Sequence, residues 1–340
     1  MVAVRVDANE KIAMGHVMRC LAIAKQLKAK GEEVEFWISG NYAADHIREN
    51  GFACNCLMYE YNEKEKEADA LIEALKKAKV RKILLDSYEV TYEYMKRLQA
   101  DFQVIYIDDL NLFHYPANII INYTHNVSMN LYKQWKYSDE TQFLLGSRYV
   151  PLRPEFSGAA IDCSKPVQRL LITTGGADDQ NMILEILRHI TGERYRSIQK
   201  LVIAGKFYAH MQELQKFLRD DPTVKIYHDI SNMAALMRKS NIAISAGGTT
   251  LAELSACGVP TICFAVADNQ LYGTSAYAKD GIMKYAGDVR GQKKQVVNRI
   301  EQMLEELVGD ASERIRLGCK AKQMIDGLGA DRIADYIARL

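Results

Sequence analysis

NIAISAGGTTLAELSACGVP, residues 241–260, reads in order as a strand, a Gly-Gly turn, a helix, a glycine stop and a proline. The run NIAISA (241–246) is short and apolar, the mark of a parallel strand buried on both faces. Thr249 or Thr250 is placed to cap the following helix, and Gly258 with Pro260 ends it. A strand that passes through glycines into a helix is half of a βαβ unit. The helix N-terminus leaves amides unpaired and carries partial positive charge, so it suits a phosphate. Gly247 and Gly248 let a ligand approach the backbone closely. Glu253, about one turn into the helix, could accept hydrogen bonds from a ribose diol or simply stabilise its own helix N-terminus. The chain lacks a GxxxxGK[ST] loop, so nucleotide hydrolysis of the P-loop kind is not expected.

The same grammar recurs outward from this stretch. RLLITTGGADDQN (169–181) is a strand running into Gly175 and Gly176, either a second phosphate loop or a plain tight turn. QKLVIA (199–204), TVKIYH (223–228) and PTICFA (260–265) complete the strands of a second half. VAVRVD (2–7), EVEFWI (33–38), RKILLD (81–86), QVIYID (103–108) and NIIINY (118–123) are strands of a first half. Helical patterns separate them. In GHVMRCLAIAKQLKAKG (15–31), Val17, Leu21, Ala24 and Lys28 share one face and Gly31 is the stop. EKEKEADALIEALKKAK (63–79) reads as a helix whose mixed charges face solvent. A break at 147–167 holds three of the six prolines. The expected architecture is therefore α/β, with two Rossmann-like, doubly wound domains facing each other across a cleft. Residues 1–150 form the first, 151–167 a linker, and 168–340 the second with its terminal helices.

Composition narrows the function classes. The 340 residues are 48% hydrophobic and 26% charged, enough apolar material for two cores. Lys plus Arg (44) nearly balances Asp plus Glu (43), for a net charge of +1, which argues against a chain-wide polyanion-binding role. No apolar run reaches the roughly 18–20 residues of a membrane span. MVAVRVDANE reads as a buried strand, not a signal peptide. The seven cysteines are dispersed; Cys20, Cys257 and Cys263 lie in apolar stretches, and Cys54 and Cys56 lack CxxC spacing. A reducing, cytoplasmic setting is expected, with a monomer as the default state. Asp108 and Asp109 could hold a metal, but a turn or lining role is preferred, and neither metal nor cofactor is expected. His46, His114, His125, His189, His210 and His228 form no ligand-like pair and are expected at the surface or in turns.

One histidine stands apart. DANEKIAMGH (7–16) follows the first strand and puts His16 at the start of a helix, at the carboxyl end of the sheet. A neutral imidazole there can act as a general base, or it can merely cap or pack at the turn. Asp86 could orient a substrate hydroxyl or simply end its strand. Tyr88 could donate to a sugar or phosphate, and Arg153 could reach a phosphate or brace the hinge.

Two resemblances bear on these residues. IYHDISNMAALMRKSNIAISAGGTTLAELSACGVP followed by DNQ (226–270) resembles the carboxyl half of MurG-like glycosyltransferases of the GT-B fold, which bind UDP there. The resemblance implies that the Ile230 backbone meets uracil and Glu253 the ribose. Gly248 and Thr249 would hold the diphosphate, with Asn269 and Gln270 beside it. RVDANEKIAMGHVMRCLAIA (5–24) resembles the start of the PseG family, UDP-2,4-diacetamido-2,4,6-trideoxy-β-L-altropyranose hydrolases, also SpsG-like in spore-coat clusters. Arg5, Asp7, Gly15, His16 and Arg19 match its pattern, and Ala13 replaces a usual glycine. LLDSYEVT, with Asp86 and Tyr88, LLGSRYVPLRPEF, with Arg153, and IDGLGADRIA resemble its later segments. That family implies hydrolysis of a UDP-linked amino sugar to UDP and free sugar, feeding a nonulosonic acid such as pseudaminic acid. Water would attack the anomeric carbon, with His16 as base and Arg5, Asp7, Gly15, Asp86, Tyr88 and Arg153 on the sugar side. The alternative is a MurG-like UDP-sugar transferase.

Overall fold

A computed structural model describes residues 1–9, 14–176, 178–190, 192–205, 208–228, 230 and 232–340; Ala13 lies outside them. The chain divides into two compact units, Met1–Pro154 with Leu328–Leu340, and Glu155–Gly327.

The first unit runs β1 (Val2–Val6), α1 (Gly15–Ala29), β2 (Val34–Ser39), α2 (Ala44–Glu49), β3 (Ala53–Leu57), α3 (Lys64–Lys77), β4 (Lys82–Asp86), α4 (Tyr92–Gln99), β5 (Gln103–Ile107), β6 (Ile119–Asn122) and β7 (Gln142–Leu145). All pairings are parallel, in the order β3-β2-β1-β4-β5-β6-β7. β1 is central, with Val4 opposite Phe36 on one side and Leu84 on the other. Its five residues are all buried, as a strand covered on both faces must be.

The second unit runs β8 (Arg169–Thr173), α5 (Met182–Ile190), β9 (Gln199–Ile203), α6 (Met211–Asp220), β10 (Val224–Tyr227), α7 (Met233–Arg238), β11 (Ile242–Ala246), α8 (Thr249–Cys257), β12 (Thr261–Ala265), α9 (Asp268–Lys279), β13 (Lys284–Asp288), α10 (Lys293–Gly309) and α11 (Ala311–Met324). Its order is β10-β9-β8-β11-β12-β13, again parallel, with Ile244 between Ile172 and Ile262. The alternation of strands and helices therefore gives two parallel-sheet α/β units, as the sequence predicts.

In each sheet the strand order reverses beside the first strand of the unit. That switch point lies between β1 and β4 in one and between β8 and β11 in the other. Helices there leave on opposite faces and open a crevice at the carboxyl ends of the strands. His16 at the start of α1, the end of β4 at Asp86, and both Gly-Gly turns all lie at these two points.

Three features depart from the sequence expectations. The final helix, α12 (Gly329–Arg339), packs on α1 of the first unit, not with the second domain. Its apolar face of Ala330, Ile333, Ala334 and Ile337 joins the core that holds Val17, Leu21 and Ala24, and Lys30 bridges Asp331 and Asp335 at 2.7 Å each. The expected linker 151–167 is mostly part of the second unit, since Ile161 bonds to the Cys257 carbonyl and Arg314 holds the carbonyls of Cys163 and Lys165. α3 does not turn all its charges to solvent: Lys64 and Glu67 are buried, one turn apart, facing β1. His125 lies in a turn, as expected, and is buried there, with Nδ1 2.7 Å from Ser147 Oγ. The cysteines are all free thiols, with Cys20, Cys257 and Cys263 buried as expected. Among the described residues no helix is long and apolar enough to cross a membrane.

Candidate functional site

Two charge networks stand at the carboxyl edge of the first sheet. The deeper one centres on Arg5, which is 0% exposed. Its five N–H groups are all used: Nε and Nη2 grip Glu67 at 2.9 and 2.8 Å, Nη1 reaches Val6 O and Asp7, and Nη2 reaches Ser39 Oγ. Lys64 Nζ sits 3.1 and 3.0 Å from the two Asp7 oxygens, and Tyr94 donates to Glu67 at 2.7 Å. Burial alone would raise the Asp7 carboxyl; Arg5 and Lys64 outweigh it and hold it below the usual range. Arg5 and Asp7, expected on the sugar side, form a buried brace in this structure. Every Arg5 donor already has a protein acceptor, and both side chains lie beyond solvent reach.

The second network surrounds His16, which is 6% exposed at the start of α1. Its Nδ1 lies 3.1 Å from Asp86 Oδ1, off the line of a straight hydrogen bond. Tyr88 meets the imidazole edge-on, with ring centroids 4.6 Å apart. Arg19, one turn along α1, clamps both Asp86 oxygens at 2.6 and 2.5 Å, reaches Asp109 at 2.8 Å, and bonds the Tyr123 hydroxyl. Tyr88 donates to Asp109 at 3.0 Å. Burial works to raise the Asp86 carboxyl, but the Arg19 guanidinium overrides it, so Asp86 stays ionised well below the ordinary carboxylate range. Burial and then Asp109 push the Tyr88 phenol up to about 12, so it is a donor near neutrality.

Asp86 ends β4, as one of its two readings had it. Buried and gripped by Arg19, it faces His16. Gly15, the first residue of α1, is exposed beside His16, and Tyr88 is partly exposed. Arg153 lies in the segment after Val150, half-buried. Asp108 closes the turn after β5, accepting from the amides of Leu110 and Asn111 and from the Tyr132 hydroxyl at 2.6 Å. Sequence reasoning gave no role to the Arg19–Asp109–Tyr123 clamp. Its signals were an arginine three residues after the histidine, on the same helix face and in the family pattern, and Asp109 at a strand end.

The second unit builds its edge from backbone. α8 starts at Thr249 with Gly248 in the cap position and no side-chain cap. The expected threonine cap is absent because Thr249 is already helical, which puts Gly248 at the cap with φ +139°, a conformation that L side chains rarely adopt. Gly247 lies against α9: a Cβ there would stand 2.8 Å from Gln270 Cβ and 2.9 Å from Thr274 Cγ2. Gln270 Oε1 accepts from the Val266 amide at 2.9 Å, so its carbonyl is used to hold the loop after β12. Asn269 is exposed one residue earlier, and Glu253 is half-buried in the first turns of α8. Gly175 has φ +86° with Gly176 behind it, and Gly205, in the loop after β9, lies flat on both. A Cβ on Gly205 would fall 2.2 Å from the Gly175 carbonyl. Sequence reasoning passed over Gly205, whose signal was a glycine directly after an apolar strand end. Ile230 is half-buried in the segment before α7. Among the described residues no cluster of His, Cys, Asp or Glu could hold a metal ion.

Comparison with known proteins bears on both units. Residues 169–312 match the glycosyltransferase family 28 C-terminal domain. The chain is 21% identical to the spore coat polysaccharide biosynthesis protein SpsG of Bacillus subtilis, over 100% of this chain and 98% of that protein. It is 24% identical to the UDP-2,4-diacetamido-2,4,6-trideoxy-beta-L-altropyranose hydrolase of Campylobacter jejuni, over 76% of this chain and 90% of that protein. Protein MJ1062 of Methanocaldococcus jannaschii is 24% identical over 77% of this chain, which spans about half (54%) of that protein's length. MurG of Acinetobacter baumannii has the same fold, with a TM-score of 0.71, 15% identity, and coverage of 100% of this chain and 99% of that one. A UDP-GlcNAc 2-epimerase from Neisseria meningitidis likewise scores 0.71 at 14% identity, with both chains fully covered. The chain is therefore a homologue of the spore coat protein and of the altropyranose hydrolase, built on a MurG-like fold, with a glycosyltransferase family 28 C-terminal domain over residues 169–312.

Proposed function

We propose that the protein hydrolyses a UDP-linked bacterial amino sugar to UDP and the free sugar. The substrate would be UDP-2,4-diacetamido-2,4,6-trideoxy-β-L-altropyranose or a close relative, and the product would serve nonulosonic acid or surface polysaccharide synthesis. The observation that carries this is the approach of His16 Nδ1 to the buried, ionised Asp86 at 3.1 Å. With its Nδ1 proton held towards that carboxylate, His16 keeps the Nε2 lone pair for a water molecule. The water oxygen attacks the anomeric carbon, Nε2 takes the water proton, and the anomeric C–O bond breaks with its electron pair leaving on UDP. Asp86 stabilises the imidazolium that forms, and Arg19 keeps Asp86 ionised and fixed.

The second unit supplies the nucleotide's partners. The uncapped amides at the start of α8 and those of the Gly175–Gly176 turn meet the diphosphate. Glu253 takes the ribose hydroxyls, the Ile230 backbone the uracil, and Asn269 and Gln270 flank the diphosphate, Gln270 through its amide nitrogen. Fixed dipoles meet the leaving charge, so no metal is called for. The reaction class has support from the hydrolase homologue, which aligns over most of both chains.

The family 28 match favours a second reading, transfer of the sugar to an acceptor through the same nucleotide partners. Incubating the purified protein with a panel of UDP-amino sugars and following products by NMR separates the two. UDP and free sugar released without any acceptor supports hydrolysis; turnover only on adding an acceptor supports transfer.

A further inference from the structure

A cavity of about 360 Å³ opens at the carboxyl ends of β1, β2 and β3, on the opposite side of β1 from His16's partner Asp86. Its walls include Asn9, Asn41, Tyr42, Tyr59, Glu60 and Tyr61. It lies at the carboxyl edge of the sheet, next to the β1/β4 switch point, and its volume falls within the roughly 300–1,000 Å³ of small-molecule sites. A larger cavity, about 900 Å³, lies in the second unit at the opposite, amino-terminal ends of β9 and β10, among Arg188, Glu193, Arg196 and Glu213. Its interleaved charges favour no one ligand class.

The lining of the smaller cavity is selective. Among the described residues its lining holds no Lys or Arg, and Glu60 is the single charged side chain. Three phenol rings and two carboxamides suit a neutral ring with apolar C–H faces and hydroxyl or amide substituents. Tyr42 is 51% exposed, a large aromatic surface offered to solvent rather than packed away.

The floor is held rigid from beneath by the buried charge network. Ser39, on the wall, accepts from Arg5 Nη2 at 2.7 Å, and the Tyr61 carbonyl accepts from Lys64 Nζ at 2.5 Å. Buried ion networks are costly and are weak contributors to net stability. This one ties β1, the end of β2 and the start of α3 to two points of a single cavity. Adjacent strands lie about 4.8 Å apart, so the end of β3 is within about 10 Å of the end of β1, where the His16 loop begins.

We infer that this cavity is a saccharide subsite that takes a neutral, N-acylated sugar ring. The inference rests on the UDP-sugar reading above and assigns the sugar to residues other than those the family motifs mark. The ring comes either from the nucleotide sugar itself or from a separate acceptor.

The test uses UDP, UDP-N-acetylglucosamine and free N-acetylglucosamine as probes on the full chain with ¹³C-labelled tyrosine rings. The Tyr42 and Tyr59 signals are assigned through Tyr42→Phe and Tyr59→Phe. UDP-N-acetylglucosamine is expected to shift both rings and UDP alone to leave them. In the Tyr42→Ala/Tyr59→Ala variant, affinity for UDP-N-acetylglucosamine should fall roughly ten-fold or more while UDP affinity holds. Shifts that appear only when free N-acetylglucosamine is added to the UDP-saturated protein identify the ring as an acceptor. No shift with either saccharide, or equal shifts with UDP alone, overturns the subsite. A wild-type protein that fails to bind UDP contradicts the UDP assignment instead, and ring shifts with free N-acetylglucosamine would still uphold the cavity.

Discussion

The two sheets share a topology and place their functional loops at equivalent points, yet they equip those points with opposite chemistry. The first unit lines its switch point with ionisable side chains: His16, Asp86, Arg19, Asp109 and Tyr88 in one connected cluster. The second uses glycines and a helix start without a side-chain cap. Side chains can hold, move and accept protons. Backbone amides cannot titrate near neutrality, but they present fixed dipoles that need no reorganisation when an anion arrives. Under the proposed function this repeated architecture would divide the labour, with proton transfer on one unit and anion recognition on the other.

The sharpest way to break that division is at the histidine. His16→Asn keeps size and some hydrogen bonding but cannot accept a proton from water. Turnover is expected to fall by roughly 10²–10⁴-fold, the usual contribution of a general base. UDP affinity by calorimetry should not change. Near-normal turnover would move the base elsewhere; joint loss of turnover and UDP binding would erase the contrast between the units.

Next in size is the brace under the first sheet. Arg5→Met leaves Glu67 and Asp7 buried without their guanidinium, a loss of about 3–5 kcal/mol by analogy with other broken buried pairs. Urea unfolding of the variant reads it directly. A change below about 1 kcal/mol would mean that water reaches the network and that Arg5 is not the closed structural unit described here.

Glu253→Ala addresses the second unit. Removing one charged hydrogen-bond acceptor should weaken UDP binding by about 1.5–3 kcal/mol, roughly 10- to 150-fold, with unfolding unchanged. Equal UDP affinity in the variant and the wild type would remove the ribose role and leave the nucleotide to the amides alone.

The smallest effect is one of pH. Asp86 in the folded chain ionises below its ordinary value of 3.8, with Arg19 overcoming burial. Its contribution to stability is therefore whole above about pH 4 and is lost only as pH falls towards the depressed folded value. The ¹³C carboxyl shift of Asp86 should stay flat from pH 7 to about 4, where an ordinary aspartate (pKa about 3.9) is already titrating. A midpoint at or above the ordinary value would show that Arg19 does not govern it.

The sequence was most legible where burial was complete. β1, β4, β5, β8, β11 and β12 are short apolar runs because both faces of an inner strand are covered. The strands that escaped notice, β3, β7 and β13, all lie at sheet edges. There one side is solvated, and ACNCL and KYAGD carry too many polar or small residues to read as strands. Gly-Gly turns announced the second unit's site because a backbone device is written in consecutive residues. The first unit's site was only half legible, since side-chain networks join distant positions. Lys64 and Glu67 sit in a run of mixed charges that resembles any solvated helix, and nothing local marks their pairing with Arg5 and Asp7, some 60 residues away. α12 shows the same limit, for its apolar face does not name the helix it covers.

The division of labour comes to a point in the fate of one oxygen atom. Turnover of a UDP-amino sugar in H₂¹⁸O, followed by mass spectrometry of both products, asks which bond breaks and what attacks it. Water activated by His16 at the anomeric carbon puts the ¹⁸O in the free sugar and none in UDP, with no acceptor required. Label in UDP, or no turnover until an acceptor is supplied, would contradict it.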